Sequence, residues 1–535
     1  MEVEGVRRLL AEAGVDARRY HLALALLCDG AWWTLADLVR GAATSRRGIE
    51  ALLREVGPQR SGDRFRLTPE QVRAYRPLLE ESGHPGEPAL ADPVAHLLPR
   101  YADVLERMEK LIAEGPRGRQ ALDHVAATPE TVVRRALLLG GRFWLPGARL
   151  LCVGDHDLTS LAVAMAFPGV QVTVVDIDDR ILAYIDAQAD GLGLDVRTRW
   201  ADLRLGLPAS ARDQADLAIT DPPYTPEGVG LFVARAVEGL RDPDRGRILL
   251  AYGAGERTPM LALKVQNSLH DLNLALEAMY PDFNRYFGAE AIGSAADLYV
   301  LRPTTKTRPA VAARVERFST AIYTHGPQSV EALQGLPGPA ALGEGGFEPE
   351  VLVGDWPKDA FPKLPRTRLS TWLAKPYAAS PSRVALAVPA GLEAALPRLL
   401  LATRARHVRV LLSGAAPDLP ALRAALPGVY ELTRTGHVLD AVRLPTPAGD
   451  DGRLLRGILD NAHGKLANTW REGLIRARGH LTKKQARAVV AEVAPWAGDV
   501  TVLELPEHRL RALPAAVAAS LRLPPAEAGE TTGHG

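Results

Sequence analysis

Cysteine, long apolar runs and excess charge are what this chain has least of. Its 535 residues include two cysteines, Cys28 and Cys152, too few for a disulfide framework or for a zinc site alone. Both lie in apolar stretches and read as buried structural thiols. No stretch approaches the ~20 apolar residues of a membrane span. The start, Met1-Glu2-Val3-Glu4, is acidic, unlike a secretory signal. A soluble cytoplasmic protein without membrane contact is therefore expected. Aromatic residues make up 5%, and 64 Lys+Arg against 63 Asp+Glu leave a net charge of +1. That balance argues against a molecule-wide surface for polyanions, although a local basic patch remains compatible with it. Also missing is G-x-G-x-x-G, the glycine fingerprint of dinucleotide-binding loops, which speaks against NAD.

What the chain does have is a series of short apolar runs that end in acids. Ala148 to Val153 leads into Gly154-Asp155-His156-Asp157-Leu158-Thr159-Ser160 and a helical stretch from Leu161 to Phe167. Val170 to Val175 ends in Asp176-Ile177-Asp178, Leu194 to Trp200 in Ala201-Asp202, and Ala215 to Thr220 in Asp221-Pro222-Pro223-Tyr224. Further strands are expected at Gly246 to Tyr252 and Asp297 to Leu301, with a helical region between them from about Met260 to Tyr280. Buried parallel strands look like such runs, and ligands sit at their C-terminal ends. The alternation predicts an α/β fold with a doubly wound sheet.

The acids carry the chemistry. After Gly154, where this fold normally offers a helix N-terminus to an anion, stand Asp155 and Asp157 around His156. Unit charges ~4 Å apart interact by about 4 kcal/mol at an effective dielectric near 20. A pyrophosphate or a methionine carboxylate would thus be repelled there, and an amine attracted. One of these acids is also a good helix cap. Asp176 lies about 20 residues beyond the first loop, where an acid commonly binds ribose hydroxyls. Asp178 and Asp179 suit the following helix start. Asp202 suits an adenine amino group or is a solvated loop acid. Asp221-Pro222-Pro223-Tyr224 is the most specific motif: two prolines fix the strand exit, so that an acid, carbonyls and a ring face one point. Such a motif marks methyltransferases acting on exocyclic amino groups.

The flanks are less specific. Residues 1–80 read as helices, including Leu22 to Cys28, one from Thr34 and one from Ser45, followed by a hairpin over Gln59 to Leu67. This is a winged-helix-like order. Arg46, Arg47 and Arg60 either contact DNA or form the solvated face of a module reused for dimerisation or as a lid. The near-neutral chain favours the second. Residues 81–120 read as a linker and bridging helix, and 121–307 as the catalytic domain, entered by a helix with Thr128 as cap and Pro129 in its first turn. Residues 308–350 form a second linker and 351–525 an accessory α/β domain. Its expected strands are Val384 to Val388, His407 to Leu412 and Tyr430 to Thr433. Its expected helices are Leu392 to Thr403, Leu454 to Arg478 and Thr482 to Val493. A disordered tail is expected over 526–535. No metal-ligand spacing occurs, and none is expected to be bound.

Together, Gly154-Asp155-His156-Asp157-Leu158-Thr159-Ser160, Val174-Val175-Asp176-Ile177-Asp178 and Thr220-Asp221-Pro222-Pro223-Tyr224-Thr225 resemble the branched-chain polyamine synthases, or bis(aminopropyl)spermidine synthases, over roughly residues 1–305. The resemblance implies a winged-helix-like domain before a Rossmann-like one. It also implies transfer of an aminopropyl group from decarboxylated S-adenosylmethionine, as co-substrate, to an amine of a polyamine such as spermidine, with release of methylthioadenosine. Gly154, Asp155 and Asp157 match the family's Gly-Asp-Asp-Asp loop; His156 departs from it. By this reading Asp157, Asp155 and Asp221 are catalytic, with Asp157 taking the amine's proton. Gly154, Asp176, Asp178 and Asp202 bind the nucleoside, and His156, Pro222, Pro223 and Tyr224 line the polyamine site. Two other readings are carried: a methyltransferase using S-adenosylmethionine on an amino group, and a DNA-binding regulator sensing a nucleotide or polyamine. A homodimer is compatible with the sequence, and nucleic acid is the less expected partner.

Overall fold

The computed structural model describes residues 3–14, 17–81, 92–255, 258–314, 321–326, 329, 346–359, 361–415 and 417–524. Residues 82–91, 315–320, 327–328 and 330–345 of the two expected linker segments, and the expected tail, lie outside these residues. Two compact units emerge: Met1–Val172 with Ala215–Arg317 and Ile322–Thr324, and Thr173–Gln214 with Phe318–Ala321 and His325–Gly535.

The first unit begins with α1 (Val3–Ala13), α2 (Ala17–Leu27), β1 (Trp33–Thr34), α3 (Leu35–Ala42), α4 (Arg46–Val56), β2 (Gln59–Ser61), β3 (Arg64–Arg66) and α5 (Pro69–Glu81). The strands form a small antiparallel sheet in the order β1-β3-β2. Thr34 caps α3 by accepting from Asp37 N, and Ser45 caps α4 by accepting from Gly48 N, as these residue types do at helix starts. Leu24, Leu27, Leu38, Ile49 and Leu52 form the centre of its core. Cys28 is half-buried and Cys152 fully buried, both as free thiols.

Along the chain follow α6 (Ala102–Glu114), α7 (Pro129–Arg142), β4 (Arg149–Val153), α8 (Thr159–Ala166), β5 (Gln171–Asp176), α9 (Asp179–Leu192), β6 (Val196–Trp200), β7 (Leu217–Thr220), α10 (Pro226–Gly239), β8 (Arg247–Tyr252), α11 (Pro259–Asp271), β9 (Leu274–Arg285), β10 (Ala295–Pro303) and α12 (Thr307–Arg314), of which α9 and β6 fall in the second unit. In the first unit β4, β7, β8, β10 and β9 are sheet neighbours in that order. Strands β4, β7 and β8 run parallel, whereas β10 is antiparallel to both β8 and β9. Every residue of β7 is buried, as are all but the first of β4; such strands are covered on both faces. Thr128 and Pro129 start α7 as expected, the threonine side chain accepting from Thr131 N.

The helical region expected from Met260 to Tyr280 is corrected. Helix α11 stops at Asp271, and the chain passes through Asn273, at φ 56°, into the 12-residue strand β9. Leu276, Met279 and Tyr280 fit a helical spacing as well as a strand, and pairing with β10 decides between them. Pro281 is tolerated because β9 is an edge strand.

In the second unit α9 and β6 accompany β11 (Val351–Val353), β12 (Arg366–Thr367), α13 (Leu369–Ala374), β13 (Arg383–Val388), α14 (Leu396–Leu401), β14 (His407–Leu412), α15 (Leu419–Ala425), β15 (Tyr430–Thr435), β16 (Val438–Arg443), α16 (Asp450–Leu459), α17 (Leu466–Arg478), α18 (Lys483–Val493) and α19 (Glu507–Arg522). A six-stranded mixed sheet has the order β12-β11-β13-β14-β16-β15. The helix expected from Leu454 to Arg478 is two helices, α16 and α17, separated by Asp460–Lys465 with Gly464 in the break. Asp186 of α9 accepts from His508 and Arg509 of α19, and the Arg398 guanidinium lies 3.8 Å from the centre of the Trp200 ring. Among the described residues, no helix is long and apolar enough to cross a membrane.

Candidate active site

Between β4 and α8 the chain makes a tight turn that only certain residues allow. Gly154 has φ 73° and Leu158 φ 62°; glycine adopts such angles freely, while a buried leucine there stores strain of the kind found at functional loops. The turn buries Asp155, whose carboxylate accepts from Ser160 N at 3.1 Å in the first turn of α8. That satisfies the capping role open to one of these acids. His156, the next residue, stacks on His124 with ring centres 4.4 Å apart and planes at 17°. Asp123, beside it, accepts from the backbone and hydroxyl of Thr324, both at 2.6 Å.

Asp157 and Asp221 meet on a residue that motif reading passes over. Arg135 of α7 is 2% exposed. Its Nη1 donates to Asp157 Oδ2 at 2.9 Å and its Nη2 to Asp221 Oδ2 at 2.5 Å. Nε donates to Asn284 Oδ1 at 2.8 Å, and Nη2 reaches the Tyr286 hydroxyl at 3.1 Å. Asn284 is itself fixed by donating to the carbonyls of Ala296 and Asp297. The other Asp157 oxygen accepts from Ala127 N at 2.8 Å. Asp221 takes two further hydrogen bonds, from Tyr286 at 2.8 Å and Tyr224 at 3.0 Å, and the two phenol oxygens lie 2.9 Å apart.

Two of the three acids expected to be catalytic, Asp157 and Asp221, share one guanidinium. The signal for Arg135 was in the sequence. It stands three residues after Val132 and four before Leu139, on the buried face of α7, and a cation on an apolar face needs an acid partner. Asn284 and Tyr286 carry no motif, and only the pairing of β9 with β10 brings them to Arg135.

Burial pushes the Asp221 carboxyl up to about 6, Asp157 adding to the rise against the pull of Arg135 and Tyr286. Burial opposes the charge on Arg135, but Asp221, Tyr286 and Asp157 outweigh it and hold the guanidinium above its ordinary value. Burial, then Asp221, raises Tyr224 and Tyr286 well above an ordinary phenol. Both phenols therefore stay protonated and act as donors.

Pro222 and Pro223 are buried beside Tyr224. Thr225 caps α10 through Gly228 N and donates to Ile322 O at 2.6 Å. Gly228 is required there, since a Cβ would stand 2.7 Å from Pro223 O. One strand over, the Tyr252 ring meets that of Tyr224 edge-on with centres 5.3 Å apart.

Asp176, Asp178 and Asp202 lie in the second unit. Asp176, at the end of β5, accepts from Asp178 N at 2.8 Å. Asp178 caps α9, as expected for a helix start, and pairs with Arg180. Asp202 accepts Nε and Nη2 of Arg204 at 2.8 and 2.7 Å. It borders a cavity of about 230 Å³ with Trp200, Leu205, Arg398, His463 and Glu504.

Comparison with known proteins places the likeness in the same stretch. Residues 103–324 match the family model described as the branched-chain polyamine synthase A C-terminal domain. An uncharacterized protein of Methanocaldococcus jannaschii is 35% identical over 195 residues, 36% of this chain and 49% of that one. The N(4)-bis(aminopropyl)spermidine synthase of the same organism is 31% identical over 193 residues, 35% of this chain and 54% of that one. That of Thermococcus kodakarensis is 33% identical over 144 residues, 27% of this chain and 41% of that one. The matches thus span about half the length of these relatives. Among solved structures, the branched-chain polyamine synthase from Thermus thermophilus in complex with N4-aminopropylspermidine and 5'-methylthioadenosine is 20% identical, covers 56% of this chain and 93% of that one, and has a TM-score of 0.40. The resemblance to branched-chain polyamine synthases expected from the acidic loop and the Asp-Pro-Pro-Tyr turn is found over residues 103–324, which hold both motifs.

Proposed function

We propose that this protein transfers an aminopropyl group from decarboxylated S-adenosylmethionine to an amine of a polyamine such as spermidine. The observation that carries the reading is the match of residues 103–324 to the polyamine synthase domain, in the stretch where Arg135 gathers Asp157 and Asp221. In the reaction the amine nitrogen forms a bond to the propyl carbon next to the sulfonium. The carbon–sulfur bond breaks, and its electron pair leaves with methylthioadenosine. The proton lost from the new ammonium goes to a carboxylate and then to water. Positioning supplies much of the acceleration for a leaving group already activated as a sulfonium.

In this reading the carboxylates at Asp155, Asp157 and Asp221 hold the amine. Pro222, Pro223 and the Tyr224 ring wall the polyamine site, and His156 lowers its negative charge relative to a third acid. Gly154, Asp176, Asp178 and Asp202 serve the nucleoside, Asp176 at its ribose. The saturated guanidinium supports the decarboxylated co-substrate over S-adenosylmethionine. Arg135 is 2% exposed and engaged by four side chains, so it is not open to a methionine carboxylate. We read residues 3–81 as a winged-helix-like domain in a structural role. Its Arg46 already pairs with Glu50 and Glu290, which supports that role over phosphate contact.

Incubation with decarboxylated S-adenosylmethionine and spermidine tests the proposal. It predicts a product heavier by one aminopropyl group and one methylthioadenosine per turnover, by mass spectrometry. A methylated amine formed from S-adenosylmethionine instead would transfer the protein to the methyltransferases.

A further inference from the structure

Charge is nearly balanced over the whole chain, at +1, but not along it. Residues 465–487, which span α17 and the start of α18, hold seven Lys and Arg against one acid, Glu472. Three of the seven are engaged locally. Lys465 pairs with Asp499, Arg471 with Glu472, and Arg478 donates to the carbonyls of Ser520 and Leu523. Arg476, Lys483, Lys484 and Arg487 are exposed and make no hydrogen bond or close ion pair among the described residues. The Arg471 hydrogen bond holds the Glu472 carboxyl below its ordinary value, and the nearby charges of Lys483 and Arg476 add to that pull. One carboxylate thus sits among cations from both helices.

Local stability does not account for this arrangement. Lys483 and Lys484 are the first two residues of α18, which has no acid in its first turn. Cations there oppose the positive end of the helix dipole, and the start is held instead by the reciprocal cap of Thr482 and Gln485. Lys483 and Arg487 are four residues apart and so share a face of α18. The connection from α17 is short, residues 479–482, with Gly479 at φ 68°.

We propose that this helical corner binds the phosphate backbone of duplex nucleic acid, without reading its sequence. Other partners fit the surface less well. A protein interface needs an apolar centre and a membrane-surface helix an apolar face, yet none of the exposed large apolar side chains lies on α17 or α18. Single strands are held by stacking on aromatic rings. The one aromatic residue of these two helices, Trp470, is fully buried. Duplex phosphates need cations on a rigid element and little else.

Fluorescence anisotropy of a short labelled DNA duplex with the full chain tests this. It needs no amine or nucleoside, so its outcome is separate from that of the aminopropyl-transfer reading. A Kd of roughly 1–100 µM is expected at physiological salt, with a slope of log K against log salt of about −3 to −4 for four cations. Lys483→Gln combined with Lys484→Gln, both surface changes, should flatten that slope by about two and weaken binding roughly tenfold or more. Arg46→Gln combined with Arg47→Gln, on α4, should leave both unchanged. Absence of binding, an unmoved slope in the lysine pair, or loss in the α4 pair instead would each overturn the proposal. So would tighter binding of polyglutamate, of vesicles rich in anionic lipid, or of the single strand.

Discussion

Tyr252 is the buried phenol beside the site whose hydroxyl has no hydrogen-bond partner among the described residues. Burial raises it to about 12, so it stays protonated. An unmade hydrogen bond in the interior costs about 1–3 kcal/mol. Tyr252→Phe is therefore predicted to leave stability unchanged or raise it by about 1 kcal/mol in urea unfolding; a clear loss would mean the hydroxyl has a partner in solution. Asp221 yields the second residue-scale prediction. Its folded value is raised to about 6, and a carboxylate accepts a proton only when ionised. Accordingly kcat/KM should fall as pH drops through about 6, and Asp221→Asn should lose both the activity and that limb. The acids themselves were legible as single residues because they close strands and follow a glycine. Arg135 was not, because its meaning depends on two turns 22 and 86 residues away in the chain.

Helix α7 is the element that delivers Arg135, and its start is set by one side chain. Thr128 Oγ1 accepts from Thr131 N, with Pro129 in the first turn. Thr128→Ala is predicted to cost about 1 kcal/mol, the usual worth of such a cap. It should also lower kcat more than KM, since fraying would move the guanidinium. An unchanged kcat at lowered stability would detach the cap from the site. Elements of this kind, a cap, a proline and an apolar stripe, could be read directly, as could the acid-tipped strands β4 and β7. Strand β9 could not. Its side-chain pattern is ambiguous, and what selects a strand is pairing with β10, a contact whose register no local pattern contains. The place of Asn284 and Tyr286 depends on the same pairing.

At the scale of the whole molecule, residues 173–214 cluster with the C-terminal half. Ser210 N donates to Glu504, Glu507 N to Asp179, and Asp186 binds His508, Arg509 and Thr198. A chain cut after Thr324 is predicted to melt roughly 10 °C or more lower, or to aggregate, because α9 and Trp200 lose these partners. A soluble fragment with the parent's melting temperature would contradict that. The cluster is pH-sensitive too. Burial works to raise Asp186, but His508, Arg509 and Thr198 outweigh it and hold the carboxyl below its ordinary value. A depressed acid lends stability above its unfolded value and loses it as pH falls through the folded one. Asp186→Asn should thus narrow the stability difference between pH 7 and pH 3. The central claim is that this site takes a sulfonium nucleoside without a carboxylate. Calorimetric titration of the full chain with decarboxylated S-adenosylmethionine, S-adenosylmethionine and methylthioadenosine tests it most directly. The decarboxylated form should bind more tightly than S-adenosylmethionine, and weaken in Asp221→Asn; tighter binding of S-adenosylmethionine would contradict the account.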